Sequence, residues 1–247
     1  MAPIPDRSRT LLEGQNIRPP LGSFFNGQSY WIRLHPEMGR SSRSVMVVTM
    51  VLQFQFSDGD GGSWTSGEKD GFAHAFVDGV VSIWADKFRI TTTSTVPVAS
   101  ARDVGVIFDF PYYIDGWHSD DDFELSVTKI PSGGFQVSSC GYSLGNSDLD
   151  SEDIVAVGKG ASMPQRGVVH EFGHMLGLRD EYPEANDNRN HLGDLDSIMN
   201  AGEVVRKRHY APFAAWLTDK FEVAGHLAGS AIRYKVEGDT DLSNAFL

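Results

Sequence analysis

Residues 170–182 read HEFGHMLGLRDEY, and the rest of the chain is organised around this stretch. On a helix, His170 and His174 lie four residues apart, so both imidazoles leave the same face, one turn above the other. Two neutral imidazoles in that arrangement can bind one Zn²⁺ through nitrogen at about 2.0–2.1 Å. Glu171 lies about 100° round the helix from His170, where it can reach a metal-bound water without binding the metal. The pattern therefore predicts a zinc site with Glu171 as general base.

The residues after His174 supply a turn and a third ligand. Gly177 stands where a helix can end in a left-handed turn, which glycine adopts at low cost. The chain can then reverse and bring the Asp180 carboxylate to the metal. Two histidines and one carboxylate leave a fourth position for water, as in catalytic zinc sites. Glu181 is a rival third ligand, and His191 is another, although the run before it has no defined spacing.

This stretch resembles the signature of the metzincin zinc peptidases, H-E-x-x-H-x-x-G-x-x-H, with Asp180 where most members have histidine. The snapalysin-like minority of that family has aspartate at this position. Metzincins also have a tight methionine turn after the third ligand, and residues 196–202, here named the methionine turn, match it. The resemblance implies that Met199 forms an apolar floor beneath the histidines without binding the metal. Several metzincins have a tyrosine two residues further on, where this chain has Ala201.

The segments before the signature predict alternating strands and helices. Residues 44–56 are β-branched and aromatic, as in strands. Residues 67–88 carry aromatic or aliphatic side chains every four residues, which predicts a helix with one buried face. Residues 144–153 are polar and read as a loop. Further strands are predicted at 89–96, 103–113, 124–130, 134–142 and 154–158.

We therefore expect an α+β fold. The resemblance, close over 165–202 and general over 44–220, implies a twisted mixed sheet with two long helices above the zinc cleft. It also implies a smaller, mainly irregular or helical C-terminal subdomain. The zinc helix is expected to begin near Ser162, with Gln165 three residues later as a capping partner. The expected units are 1–43, an N-terminal arm or pro-segment; 44–180, the upper catalytic subdomain; and 181–247, the lower subdomain with the methionine turn. The lower subdomain is expected to contain a helix at 203–217, and Pro212 either splits that helix or starts its second part.

Composition narrows the classes of partner. The chain has 247 residues and a formal net charge of −12, which disfavours nucleic acid and anionic membranes as partners. It contains no apolar run that suits a membrane span or a secretory signal. We expect a monomer that acts on protein or peptide substrates, either in the cytoplasm or after export by a route that needs no signal. Cys140 is the single cysteine, and we expect a buried or half-buried neutral thiol.

The leading hypothesis is a zinc endopeptidase. The alternatives are a catalytically silent binding module that retains the zinc scaffold, and a protease effector or toxin delivered to another cell. Residues 183–198 are acidic and could hold a structural Ca²⁺, with an ordinary solvated loop as the alternative. Tyr210 or His209 could reach the cleft and hydrogen-bond a developing oxyanion, in place of the tyrosine that is missing after Met199.

Overall fold

The structure is a computed structural model that describes residues 12–15, 30–35, 44–93, 99–141, 144–182, 191–223 and 233–237. The fold is α+β, as predicted, with eleven strands and three α-helices among the described residues. The helices are α1 (Ser66–Trp84), α2 (Gly167–Met175) and α3 (Ala211–Val223). The strands are β1 (Leu12–Gln15), β2 (Trp31–His35), β3 (Ser44–Thr49), β4 (Leu52–Ser57), β5 (Ile90–Thr91), β6 (Asp103–Asp109), β7 (Tyr112–Ile114), β8 (Phe123–Thr128), β9 (Ser139–Gly141), β10 (Asn146–Asp150) and β11 (Lys235–Val236).

The strands form two mixed sheets, in the orders β1-β2-β3-β6-β5-β11 and β7-β4-β8-β10-β9. The predicted strands 44–56 and 103–113 are each divided between the two sheets. Their parallel register nevertheless continues, because Thr49 lies opposite Asp109 and Leu52 lies opposite Tyr112. Pro111 has no N–H to donate, but its carbonyl still accepts from Leu52 N at 2.9 Å. The two sheets therefore continue into one another along a shared pair of strands.

The predicted loop at 144–153 is wrong, because it contains β10. This strand pairs in parallel with β8 and antiparallel with β9. Leu149 and Asp150 are buried, and the Asp150 carboxylate accepts from Gln136 N at 3.0 Å and from Glu152 N at 2.7 Å. Such contacts satisfy polar residues inside the fold, and composition alone does not reveal them. The predicted strand 154–158 does not form, and its one ladder contact is an isolated bridge between Val157 and Gln165.

Helix α1 confirms the predicted helix and buries the predicted face. It begins at a capping box, in which Thr65 Oγ1 accepts from Glu68 N at 3.3 Å and Glu68 Oε2 accepts from Thr65 N at 2.8 Å. It ends four residues earlier than predicted, because Ala85 is extended and Asp86 is left-handed with φ of 50°. Its buried side contains Phe72, Ala73, Phe76, Val77, Val80 and Trp84.

The remaining differences concern element lengths. Helix α2 has nine residues and begins at Gly167, later than the predicted start near Ser162, so α1 is the only long helix before the methionine turn in the described ranges. The predicted helix 203–217 is a 3-10 turn at Lys207–Tyr210 followed by α3, with Pro212 in the first turn of α3, as predicted for the second part of that helix. The predicted strand 134–142 reduces to β9, and 89–96 to β5, with 94–98 outside the described residues. Within the described ranges, no helix combines the length and apolar character that crossing a membrane requires.

Candidate metal centre

His170, His174 and Asp180, here named the metal centre, bring three ligand atoms together. Asp180 Oδ1 lies 3.1 Å from His170 Nε2 and 3.0 Å from His174 Nε2. The three ligand atoms all lie within 4.8 Å of one another, in the one such group found in the described part of the chain. The four-residue spacing on α2 places both imidazoles on one face, and the turn at Gly177, with φ of 86°, reverses the chain toward them.

The other nitrogen of each imidazole faces a backbone carbonyl. His170 Nδ1 donates to Ile198 O at 2.8 Å, and His174 Nδ1 donates to Leu178 O at 2.9 Å. Because a carbonyl only accepts hydrogen bonds, we assign the N–H of each neutral ring to Nδ1. Each Nε2 then carries a lone pair, which is the form that binds a metal ion.

The donor set fits a metal ion. Asp180 Oδ1 is buried and makes no hydrogen bond, although two Nε2 atoms lie about 3 Å away. A tetrahedral zinc site with bonds of 2.0–2.1 Å separates its ligand atoms by about 3.3 Å, close to the observed 3.1 and 3.0 Å. Burial raises the pKa of Asp180, and only imidazoles that are protonated at Nε2 would outweigh it and hold that pKa below its usual range, so in the absence of a metal the three groups hold protons in its place.

Glu171 lies beside the metal centre with an available carboxylate oxygen. It is 5% exposed, and its Oε2 makes no hydrogen bond with the protein. Burial raises the pKa of Glu171, and the negative charge of Asp180 adds to this, while the imidazoles would oppose it when protonated. Glu171 is therefore the buried group best placed to exchange protons at this site.

The single cysteine, Cys140 on β9, is half-buried as expected. Burial, together with the charge of Glu171, raises the pKa of its thiol.

Met199 packs directly against α2 between the two histidines. A Cβ atom added to Gly173 would overlap Met199 Sδ and would lie 3.2 Å from Trp84 Cζ2. Met199 is fully buried, and its sulfur lies against the helix backbone. Position 173 must therefore be glycine for the methionine to reach that backbone.

Gln165 is a functional residue whose role sequence reasoning missed. The two N–H donors of its side-chain amide are shared among three carbonyls of the methionine turn, Ile198 O at 2.9 Å, Asn200 O at 3.1 Å and Gly202 O at 2.7 Å from Nε2. Ile198 O is also the acceptor for His170 Nδ1. Gln165 therefore fixes the carbonyl that orients the first ligand, a role that no local spacing predicts.

Asp180 and Glu181, the two candidates for the third ligand within the signature, have different surroundings. Asp180 faces the imidazoles, whereas the Glu181 carboxylate is bound by Arg208 and Ser197. The third rival, His191, does not belong to the metal-binding group. The structure therefore favours Asp180 as the third ligand.

Tyr210 and His209 do not reach the site, so their expected role at an oxyanion is not supported. The Tyr210 hydroxyl donates to Trp84 O and accepts from Lys87 N at 3.2 Å, which directs it to the end of α1. His209 is 2% exposed, and its Nδ1 accepts from Arg206 N at 3.0 Å. Both side chains are part of the buried interior.

The acidic segment expected to hold Ca²⁺ is only partly described, since 183–190 lie outside the described residues. The two aspartates that are described already bind protein donors. Asp194 pairs with Arg206 and Arg208, and Asp196 accepts from Ser162 N at 2.7 Å. Asp194 therefore uses both carboxylate oxygens in ion pairs, and Asp196 uses one oxygen in a hydrogen bond.

One aromatic side chain that sequence reasoning did not single out flanks the centre. The Tyr182 ring lies near parallel to that of His170, at 6.4 Å between centroids. The turn that brings Asp180 back to the histidines also brings Tyr182, two residues later, beside them.

Comparison of the chain with known protein families, with curated proteins and with solved structures finds no match.

Proposed function

We propose that the protein is a zinc-dependent endopeptidase of metzincin type. The observation that carries this proposal is the convergence of His170 Nε2, His174 Nε2 and Asp180 Oδ1 beside the available carboxylate of Glu171. These three residues would hold the zinc ion. When bound, zinc supplies a lowered pKa for a water molecule and polarisation of the scissile carbonyl.

Glu171 would act as the proton carrier. Its carboxylate takes the proton of the attacking water and then delivers it to the leaving amine, as peptide hydrolysis requires. Burial raises the pKa of Glu171 in the absence of a metal, and a zinc ion in the adjacent site would oppose that shift. The two hydrogen bonds at the Nδ1 atoms keep the imidazoles oriented while the substrate changes.

Strand β9 offers a place for an extended substrate. One edge of β9 pairs with β10, and no strand in the described ranges pairs with the other edge. Cys140 in the centre of β9 is close enough to Glu171 for the charge to affect its thiol. A peptide could therefore add to this edge through main-chain hydrogen bonds, with its scissile bond near Glu171.

The fourth coordination position of the metal distinguishes the peptidase from the silent binding module. Structural zinc sites commonly close it with a further protein ligand, whereas catalytic sites leave it for water or substrate. The described residues bring three ligand groups together, with Glu171 beside them as a non-ligand. This arrangement favours the enzyme.

The test combines metal content with turnover. We expect about one zinc per chain in wild type and in Glu171→Gln, as a three-ligand site requires, and cleavage of unstructured casein by wild type alone. The loss in Glu171→Gln should be at least about 10²–10⁴-fold, the usual contribution of a general base. Glu124→Gln, which changes an exposed carboxylate on β8, should cleave casein as wild type does.

Each other outcome has a defined meaning. Wild type that contains no zinc after purification without chelators would contradict the proposal. Zinc in both proteins without cleavage of casein or of a peptide library would favour the binding module.

A further inference from the structure

Glu181 has every backbone and side-chain polar group engaged. Its N–H donates to Met199 O at 2.8 Å, and its carbonyl accepts from Asn200 Nδ2 at 2.9 Å. Its Oε2 accepts from Ser197 Oγ at 2.6 Å. Glu181 therefore binds three residues of the methionine turn while following directly after the third ligand in the chain.

The carboxylate of Glu181 also forms a buried two-point ion pair. Arg208 Nε donates to Oε1 at 2.6 Å, and Arg208 Nη2 donates to Oε2 at 2.6 Å. The Glu181 side chain is 2% exposed, so the paired charges are largely shielded from water. Such bidentate pairs fix geometry more strictly than a single hydrogen bond does.

The pair continues toward the surface. Arg208 Nη2 also donates to Asp194 Oδ2 at 2.7 Å, and Asp194 is bound in turn by Arg206 at 2.9 and 2.5 Å. Two arginines and two carboxylates balance in charge, and half-buried Asp194 connects the buried end to solvent. Glu181 is thus held from the methionine turn and from the segment before α3.

Among the described residues, no hydrogen bond restrains Oδ1, the Asp180 oxygen that faces both imidazoles. A ligand atom must be held close to its working position before the metal arrives, or the metal affinity falls. The fixed residue beside it is Glu181, whose hydrogen bonds reach the same turn that orients His170 through Ile198 O.

We propose that Glu181 is the positioning residue of the metal centre: its pairing with Arg208 and its bonds to the methionine turn hold Asp180 in register with the two histidines. This inference rests on the proposed zinc site. It assigns the segment around Arg208 a role in metal affinity, although none of its side chains belongs to the group of ligands.

The experiment measures zinc affinity of the full chain by competition with a chromogenic chelator. Glu181→Gln keeps the shape of the side chain but removes its charge. We expect about 10–100-fold weaker zinc binding, the range found when partners of metal ligands are removed. The absorption bands of the Co²⁺-substituted protein should also change, because the position of the Asp180 oxygen affects the ligand field.

The matched control is Glu203→Gln. Glu203 also forms a two-point pair with an arginine beside the methionine turn, with Arg166 Nε at 2.8 Å and Arg166 Nη2 at 2.9 Å. Its side chain is 8% exposed, but it does not adjoin a ligand. Unfolding of the metal-free proteins in urea reports the stability that each variant loses. At comparable losses, zinc affinity should fall further in Glu181→Gln than in Glu203→Gln.

Equal zinc affinity in the two variants, or wild-type affinity in Glu181→Gln, would overturn the inference while leaving the peptidase intact. Wild type without zinc binding would overturn both. If Glu181→Gln does not fold, Ser197→Ala removes the hydrogen bond to Oε2, together with the long bond from Met199 N to Ser197 Oγ at 3.4 Å, and leaves the ion pair in place. That variant should bind zinc more weakly than wild type, and an unchanged affinity would refute the positioning role.

Discussion

The sulfur of Met199 rests on the backbone of Gly173, the residue that precedes the second histidine of α2. Contact at this point leaves no room for a β-carbon, since Met199 Sδ and Cε and Trp84 Cζ2 occupy the space. Gly173 lies between the two histidines in the sequence, and packing rather than backbone conformation requires a glycine there. Because Met199 contacts the helix backbone at this point, a shift of the methionine turn would also displace α2.

Gly173→Ala should destabilise the protein, although alanine favours helices. The helix propensity gained is about 1 kcal/mol, whereas forcing an extra methyl group into a packed core costs about 1–3 kcal/mol. Met199 must move, so zinc affinity should fall as well. Urea unfolding and chelator competition measure the two effects.

The control for that substitution is Gly71→Ala in α1, where nothing lies within 4 Å of the added methyl group. This variant should gain about 0.5–1 kcal/mol from the reduced entropy of the unfolded chain. A stabilised Gly173→Ala protein with unchanged zinc affinity would show that the methionine does not restrain the helix.

Gln165→Ala should loosen the methionine turn. The carbonyls of Asn200 and Gly202 lose their buried donor, while Ile198 O retains its bond from His170 Nδ1, and an unsatisfied buried group costs about 1–3 kcal/mol. Denaturant unfolding should show a loss of at least that size for the variant. Gln55→Ala, which removes a bond to Gly116 O in an exposed position, should cost far less. Equal losses in the two variants would contradict the role assigned to Gln165.

Zinc should raise the melting temperature of the wild-type protein through His174. A ligand that binds the folded chain stabilises it by about 2.7 kcal/mol at a hundred times its dissociation constant. Thermal unfolding with added Zn²⁺, and again after treatment with a chelator, measures this shift. His174→Ala should show no shift. His74→Ala, on the exposed side of α1, should respond as wild type does.

Asp153 should make the stability of the protein depend on pH between about 4 and 6. Burial raises the pKa of Asp153 to about 6, against hydrogen bonds from Ser138 Oγ and Asp150 N. The unfolded chain releases this proton near pH 4, so the folded state holds more protons across the interval. The contribution of Asp153 is therefore fully present below pH 4 and is lost as the pH rises through 6.

Asp153→Asn removes this titration while keeping an oxygen that accepts both hydrogen bonds. Relative to wild type, its free energy of unfolding should increase by up to about 2–3 kcal/mol between pH 4 and pH 7, from about 1.4 kcal/mol per pKa unit. Urea unfolding at four pH values measures the difference. Asp148→Asn, on an exposed position of β10, serves as the control. Parallel profiles for Asp153→Asn and wild type would contradict the raised pKa.

Local periodicity was sufficient for the parts of the fold that are built locally. The four-residue spacing placed His170 and His174 on one face, and the stripe of Phe72, Phe76 and Trp84 identified the buried side of α1. In both cases the helix itself brings the side chains together. Helix geometry is the same wherever the rest of the chain lies.

Contacts between distant segments could not be predicted in this way. Gln165 meets its carbonyls 33 to 37 residues away, and Glu181 meets Arg208 after 27 residues. Tyr210 was assigned to the cleft because it is near in sequence, but its hydroxyl is bound by Trp84, 126 residues earlier. Which partner satisfies a buried polar group depends on the whole topology, and no short window of sequence contains that information.

The dependence of Glu181 on Ser197, Met199, Asn200 and Arg208 has a consequence for biosynthesis. Chains are made from the amino terminus, and their parts fold as they emerge. The two histidines therefore leave the ribosome well before the residues that fix the third ligand. If Glu181 positions Asp180, a nascent chain has an incomplete metal centre until Arg208 has emerged, so zinc would bind weakly to the chain before that point.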